Sequence, residues 1–224
     1  MSPSEIPHGI NVVTLRGDVH FMPHHFLNRQ IELFHDRLLR FGYRCVVFSE
    51  VDEIIMPSPS KYPGGLREYM SKFLDNSRNI AARNAYGLQL GHNPTVEKKI
   101  NWDENLFAQR SIFLPWKMYN KPVITTRPLK YVPGFHSGTL PPILKQKTEF
   151  DPNLILWHLS NVDYEFCMNR MKGKNQNSKD MYKSEKDARF GSHFTSAITN
   201  QSCPYASGGF KMQPLGDEWK KSQI

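Results

Sequence analysis

Residues 44–53 read RCVVFSEVDE. Arg44 to Phe48 is a short apolar run with two valines, the composition of a buried strand. Glu50, Asp52 and Glu53 follow it at once. In sheets covered by helices, ligands bind beyond the carboxyl ends of the strands. Read as extended chain, Glu50 and Asp52 point to one side and Glu53 to the other. Two carboxylates at a strand end suit Mg²⁺ or Mn²⁺, hard cations that keep positions open for water and phosphate oxygens. A solvated acidic turn is the plain alternative, because exposed acids are common.

Upstream of this stretch, Ile10 to Leu15 reads as a strand. After Pro23 a helix is expected, with Leu27, Ile31, Phe34, Leu38 and Phe41 on its buried face and Gly42 as its left-handed cap. Downstream, Pro57-Ser58-Pro59 and Pro63-Gly64-Gly65 mark a rigid loop. A helix starts near Leu66 and carries Tyr69, Met70, Phe73 and Leu74 on one side. Ile80 to Leu90, Lys121 to Thr126 and Leu154 to Leu159 read as strands, with a turn or short helix at 115–119. Tyr131 to Pro142 is a Gly/Pro-rich loop holding His136, and Val162 to Met171 reads as helix. Strands alternating with helices give an α/β fold class. Residues 1–172 form the one α/β domain in this reading. Residues 173–224, richer in Lys, Asn, Ser and Gly, form an appendage packed on this domain or trailing from it, with Trp219 as the residue that would dock it.

The 224 residues suffice for a sizeable core without staples. A mean hydropathy of −0.55 fits the lack of any apolar run long enough to span a bilayer. The net charge of +8 invites a nucleic-acid reading. However, the basic residues are spread out and not interleaved with aromatics, so no nucleic acid is expected as partner. Cys45, Cys167 and Cys203 stand far apart with no CxxC pair. Cys45 and Cys167 read as buried small hydrophobes, which favours a reducing compartment. The N-terminal residues lack a secretory pattern. A cytoplasmic or membrane-peripheral location follows from these features without being fixed by them.

The run FSEVDEIIMPSPSKYPGGLREYM (48–70) resembles the carboxylate-motif region of nucleotide-sugar glycosyltransferases of the GT-A type, family 2-like, with a DxDE motif. Later pieces are similar in the same order: Gln109-Arg110, Lys121 to Pro128, Pro133 to His136, and Leu156-Trp157-His158-Leu159 with Asp163 beyond. Asp217-Glu218-Trp219 is similar to the close of such domains. The resemblance covers Val46 to Trp219 and implies a Rossmann-like mixed sheet flanked by helices. Two departures stand out: Glu50 replaces the usual leading Asp, and the part preceding Asp52 is short for a nucleotide-binding half.

The resemblance implies a metal-dependent enzyme that moves a sugar from a nucleotide-sugar donor to a hydroxyl on a glycan, lipid or protein. Asp52, with Glu50 beside it, would bind Mn²⁺ or Mg²⁺, and His158 would add a ligand from a distant strand. Glu53 would support them. Asp103 would serve as general base toward the acceptor, while Arg110 and His136 would contact substrate. Each has a plain alternative: a core histidine for His158, a helix-starting acid for Asp103, surface residues for Arg110 and His136. The alternative function is a non-catalytic remnant or carbohydrate-binding module of the same fold. A metal-dependent nuclease or phosphohydrolase would use the same acids.

Overall fold

The computed structural model describes residues 24–93, 95–132, 135–169 and 211–221. The expected strand at Ile10 to Leu15 and most of the expected appendage lie outside them. The fold is mixed α/β. Its sheet contains β1 (Val46–Val47), β2 (Glu53–Pro57), β3 (Ile80–Leu90), β4 (Ile112–Pro115), β5 (Lys121–Thr125), β8 (Lys147–His158) and β9 (Gln213–Pro214). A separate hairpin pairs β6 (Lys130–Tyr131) with β7 (Gly138–Thr139).

β3 organises the sheet. Along one edge it pairs antiparallel with β5 in its first half and with β4 in its second. Along the other it runs parallel to β8, whose far edge takes β2 antiparallel. β1 pairs antiparallel with β5 and so runs parallel to β3. The carboxyl ends of β1, β3 and β8 therefore face the same way, and residues 49–53 lie at that end.

Both faces of the central strands are covered, which explains their nearly continuous apolar sequence. On β8, Leu154 and Leu156 pack with Tyr69 and Phe73 of α2 (Gly65–Asn76) and with Val123 and Ile124. Ile155 and Trp157 face the opposite layer, with Leu88, Leu90, Phe107, Leu215 and Trp219. Trp157 sits edge-on to both Phe107 and Trp219, with centroids 5.0 Å apart in each pair. Trp219 of the C-terminal segment thus packs into this layer, and β9 joins that segment to the sheet. Leu27 and Ile31 of α1 (His24–Arg40) pack against a third cluster formed by Ala82, Leu129, Tyr131 and Phe135.

Several expectations are corrected. α1 buries Asn28 and His35, whereas Phe34 and Phe41 are 47% and 81% exposed. The helix ends at Arg40, so Phe41 leaves its apolar face; Gly42 takes the expected left-handed turn at φ 95°. The strand before the acids shortens to Val46–Val47. Ile54-Ile55-Met56, between the acids and the Pro/Ser loop, forms β2 because it finds Ile155 to Trp157 opposite. Cys167 is buried as expected but is disulfide-bonded, while Cys45 is free and only half-buried. A disulfide removes the ground for favouring a reducing compartment.

Candidate active site at the acidic turn

The acids do not lie in extended chain. Residues 50–53 form a tight turn, closed by the Glu53 N–H donating to the Glu50 carbonyl at 3.1 Å. Ser49 Oγ donates to the carbonyls of Glu53 and Glu50, at 2.9 and 3.1 Å. The Glu50 N–H donates to Glu53 Oε2 at 2.9 Å, folding the Glu53 side chain back under the turn. Val51 is left fully exposed at its tip.

Beneath the turn lies Lys121, the first residue of β5, with its side chain 1% exposed. Its Nζ is 2.5 Å from both Glu53 Oε1 and Glu50 Oε2. Burial pushes the Glu53 carboxyl above its usual pKa, against the opposing pull of the Lys121 charge. Glu50 differs in that 42% of its side chain remains exposed. The lysine thus holds one buried and one half-open carboxylate.

Asp52 turns the other way. Its Oδ2 lies 3.4 Å from His158 Nε2, at the end of β8, and its carbonyl accepts the Leu159 N–H at 2.8 Å. The His158 ring stacks on Tyr119, with centroids 4.2 Å apart and planes 14° apart. Tyr119 reaches the ring because Gly87 lies beneath it: a β-carbon there would stand 2.4 Å from the Tyr119 backbone. Behind the ring, Gln89, Ser160 and Asn161 form a buried polar network. Gln89 sits opposite His158 in the β3–β8 register.

The structure therefore brings Asp52 and His158 together, with Glu50 and Glu53 in the same turn. Among the described residues no group of three or more His, Cys, Asp or Glu is arranged to hold a metal ion. The Asp52–His158 pair sets one carboxylate oxygen against one imidazole nitrogen at 3.4 Å.

The other expected site residues lie elsewhere. Arg110 is 2% exposed rather than open to a ligand. Its Nε donates to the Val162 carbonyl and its Nη1 to the Gln109 carbonyl, and it faces Asp163 and Glu97 at 3.5 and 3.9 Å. Burial lowers its pKa, while those two carboxylates oppose the shift. Burial also works against ionised Asp163, but N–H donors from Ile100, Phe166 and Glu165 and the charge of Arg110 leave its pKa below the ordinary value. This cluster ties the excursion between β3 and β4 to the end of β8. Asp103 lies on an exposed turn in that excursion, where its N–H donates to Asn101 Oδ1 at 3.1 Å. His136 is exposed in the β6–β7 connection, just after Phe135 at φ 59°.

Sequence reasoning missed Lys121, Gln89, Ser160 and Tyr119. Lys121 read as the start of a strand, with no signal that a charge at that point goes inside. Gln89, the lone polar residue in Tyr86-Gly87-Leu88-Gln89-Leu90, was the one legible hint, since a polar residue in a doubly covered strand needs buried partners.

No helix among the described residues is long and apolar enough to cross a membrane. The family model of glycosyltransferase family 92 matches residues 13–201, most of the chain. No curated protein and no solved structure matches it. The chain belongs to glycosyltransferase family 92.

Proposed function

We propose that this member of glycosyltransferase family 92 transfers a sugar from a nucleotide-sugar donor to a hydroxyl on a glycan, lipid or protein, at the acidic turn and in a GT-A-like manner. The observation that carries this reading is Asp52 facing His158 at 3.4 Å, beyond the carboxyl ends of three strands that run the same way. Asp52 and His158 would hold Mn²⁺ or Mg²⁺, and Glu50 would reach it through water, one of its oxygens being held by Lys121. Such an ion neutralises charge that builds on the leaving diphosphate.

The protein's own residues supply the rest. Lys121 and Glu53 keep the turn closed, so Asp52 is presented without a search through rotamers. Tyr119 and Gln89 fix the plane of the His158 ring. Asp103 is the proposed base toward the acceptor, and His136 is a proposed substrate contact; both stand on exposed loops, where such residues concentrate. Arg110 acts from the interior, by holding the loop that bears Asp103.

The test is calorimetry of UDP and GDP binding to the full chain, with and without Mn²⁺. Binding that needs Mn²⁺ and is lost in Asp52→Asn is the expected result. Asp52→Asn with unchanged Mn²⁺-dependent binding refutes the site. A folded chain that binds neither nucleotide with Mn²⁺ refutes transferase activity and returns the reading to a carbohydrate-binding remnant. Asp103→Asn should lower turnover while leaving nucleotide binding intact.

A further inference from the structure

Three polar atoms meet behind the His158 ring. His158 Nδ1 is 2.8 Å from Gln89 Oε1 and 2.9 Å from Ser160 Oγ, and Ser160 Oγ is 3.0 Å from Gln89 Oε1. Which of them carries protons follows from the far side of the glutamine. Gln89 is 0% exposed, and its Nε2 donates to the Leu90 carbonyl at 2.9 Å and to the His158 carbonyl at 2.8 Å. Turning the amide over would set its oxygen against those two carbonyl oxygens, placing acceptors face to face in a buried site. Gln89 Oε1 is therefore an acceptor toward the ring. A lone pair on Nδ1 would oppose it at 2.8 Å, so Nδ1 carries the proton and donates. The Ser160 hydroxyl donates to the same oxygen and accepts from Asn161 Nδ2 at 3.1 Å.

We propose that Gln89 is a positioning residue that fixes His158 as the Nδ1–H tautomer and thereby aims Nε2, as an electron-pair donor, at the Asp52 side of the site. The arrangement matches the general habit of metal-binding histidines, whose second ring nitrogen donates to a fixed acceptor. The register delivers it, since Gln89 and His158 are direct partners of parallel strands. The bearing on metal binding rests on the function proposed above; the tautomer does not.

The tautomer is read from long-range ¹H–¹⁵N correlation spectra of the histidine-labelled full chain at pH 8, with His158 assigned by its loss in His158→Gln. The expected pattern is an amine-like Nδ1 and a pyridine-like Nε2. An Nε2–H pattern, or a ring protonated on both nitrogens, overturns the proposal. Ser160→Ala should keep the tautomer, because the Gln89 acceptor remains. A switch to Nε2–H in that variant would show that the Nδ1–H had been held by the serine oxygen rather than by Gln89, and would overturn the proposal without any change at Gln89. Gln89→Leu, which removes the acceptor, should release the tautomer. Gln89→Leu should also weaken Mn²⁺ binding by roughly 10- to 100-fold, the usual consequence of losing such a partner. Unchanged Mn²⁺ affinity in a folded Gln89→Leu overturns the positioning role. A correct tautomer in a wild-type chain that binds no Mn²⁺ overturns the proposed metal site and leaves the tautomer assignment standing.

Discussion

Replacing Lys121 with methionine tests whether the acidic turn rests on a buried charge. The two carboxylates it serves are not equivalent. Glu50 has 42% of its side chain in solvent and can rehydrate when the ammonium is gone. Glu53 has 1% and cannot. Removing one member of a buried pair costs about 3–5 kcal/mol, because the other charge is left uncompensated. Burial already raises the Glu53 pKa, and Lys121 is the largest influence opposing that rise. In the variant the carboxyl therefore moves further above its unfolded value and takes up a proton as pH falls. A group whose folded pKa is raised adds stability below its unfolded pKa and loses it as pH rises through the folded one. The deficit of Lys121→Met should thus be larger at pH 8 than at pH 5. Urea unfolding at the two pH values reads it, and the Lys121→Met/Glu53→Gln double variant should recover most of the loss and flatten the dependence. A Lys121→Met deficit below about 1 kcal/mol at pH 8, the worth of an exposed ion pair, would refute the buried-pair reasoning.

Gly87→Ala would set a β-carbon 2.4 Å from the Tyr119 backbone, which has to withdraw for the chain to fold. Overpacking of this kind costs roughly 1–3 kcal/mol, and it should disturb the Tyr119–His158 stack and weaken Mn²⁺-dependent nucleotide binding. Gly42→Ala is the control: at φ 95° with nothing within 4 Å, it should lower stability through backbone strain and leave nucleotide binding unchanged. His35, buried against Phe48 and Tyr131, has its pKa lowered to about 4 by burial. A depressed folded pKa gives stability that is present above the unfolded value and lost as pH falls. Unfolding measurements on His35→Gln should show a weaker loss between pH 7 and pH 4 than the wild type, by about 3 kcal/mol at most.

Periodicity made the scaffold legible. Ile80 to Leu90 reads as one strand and is β3 to the residue, because both of its neighbours bury the same apolar run. Tyr69 and Phe73 mark the inner face of α2 for the same local reason. The acids were visible as a cluster after a strand, yet their geometry was not. An extended reading puts Glu50 and Asp52 on one side. The turn instead puts Glu50 with Glu53, because Lys121 arrives from another strand with a charge for both. That pairing spans 71 residues, and nothing near either end of it signals the other. Arg110 shows the same limit: its planar fork suits a diphosphate in the sequence, but Val162, Asp163 and Glu97 claim it in the fold.

The turn has a further consequence for how the site holds its shape. Asp52 and Glu53 are adjacent, so one peptide unit joins two buried polar systems. Glu53 is fixed from below by Lys121 on β5, and Asp52 faces His158, which is fixed from behind by Gln89 on β3. Each system alone would leave a hinge: the lysine could hold the turn with His158 free to rotate, or the glutamine could hold the ring with Asp52 free to swing. Because both strands belong to one hydrogen-bonded sheet, the two anchors cannot shift independently. The Asp52–His158 separation is therefore set by sheet register rather than by loop conformation, which is the kind of support that a site on rigid elements has over one built on loops alone.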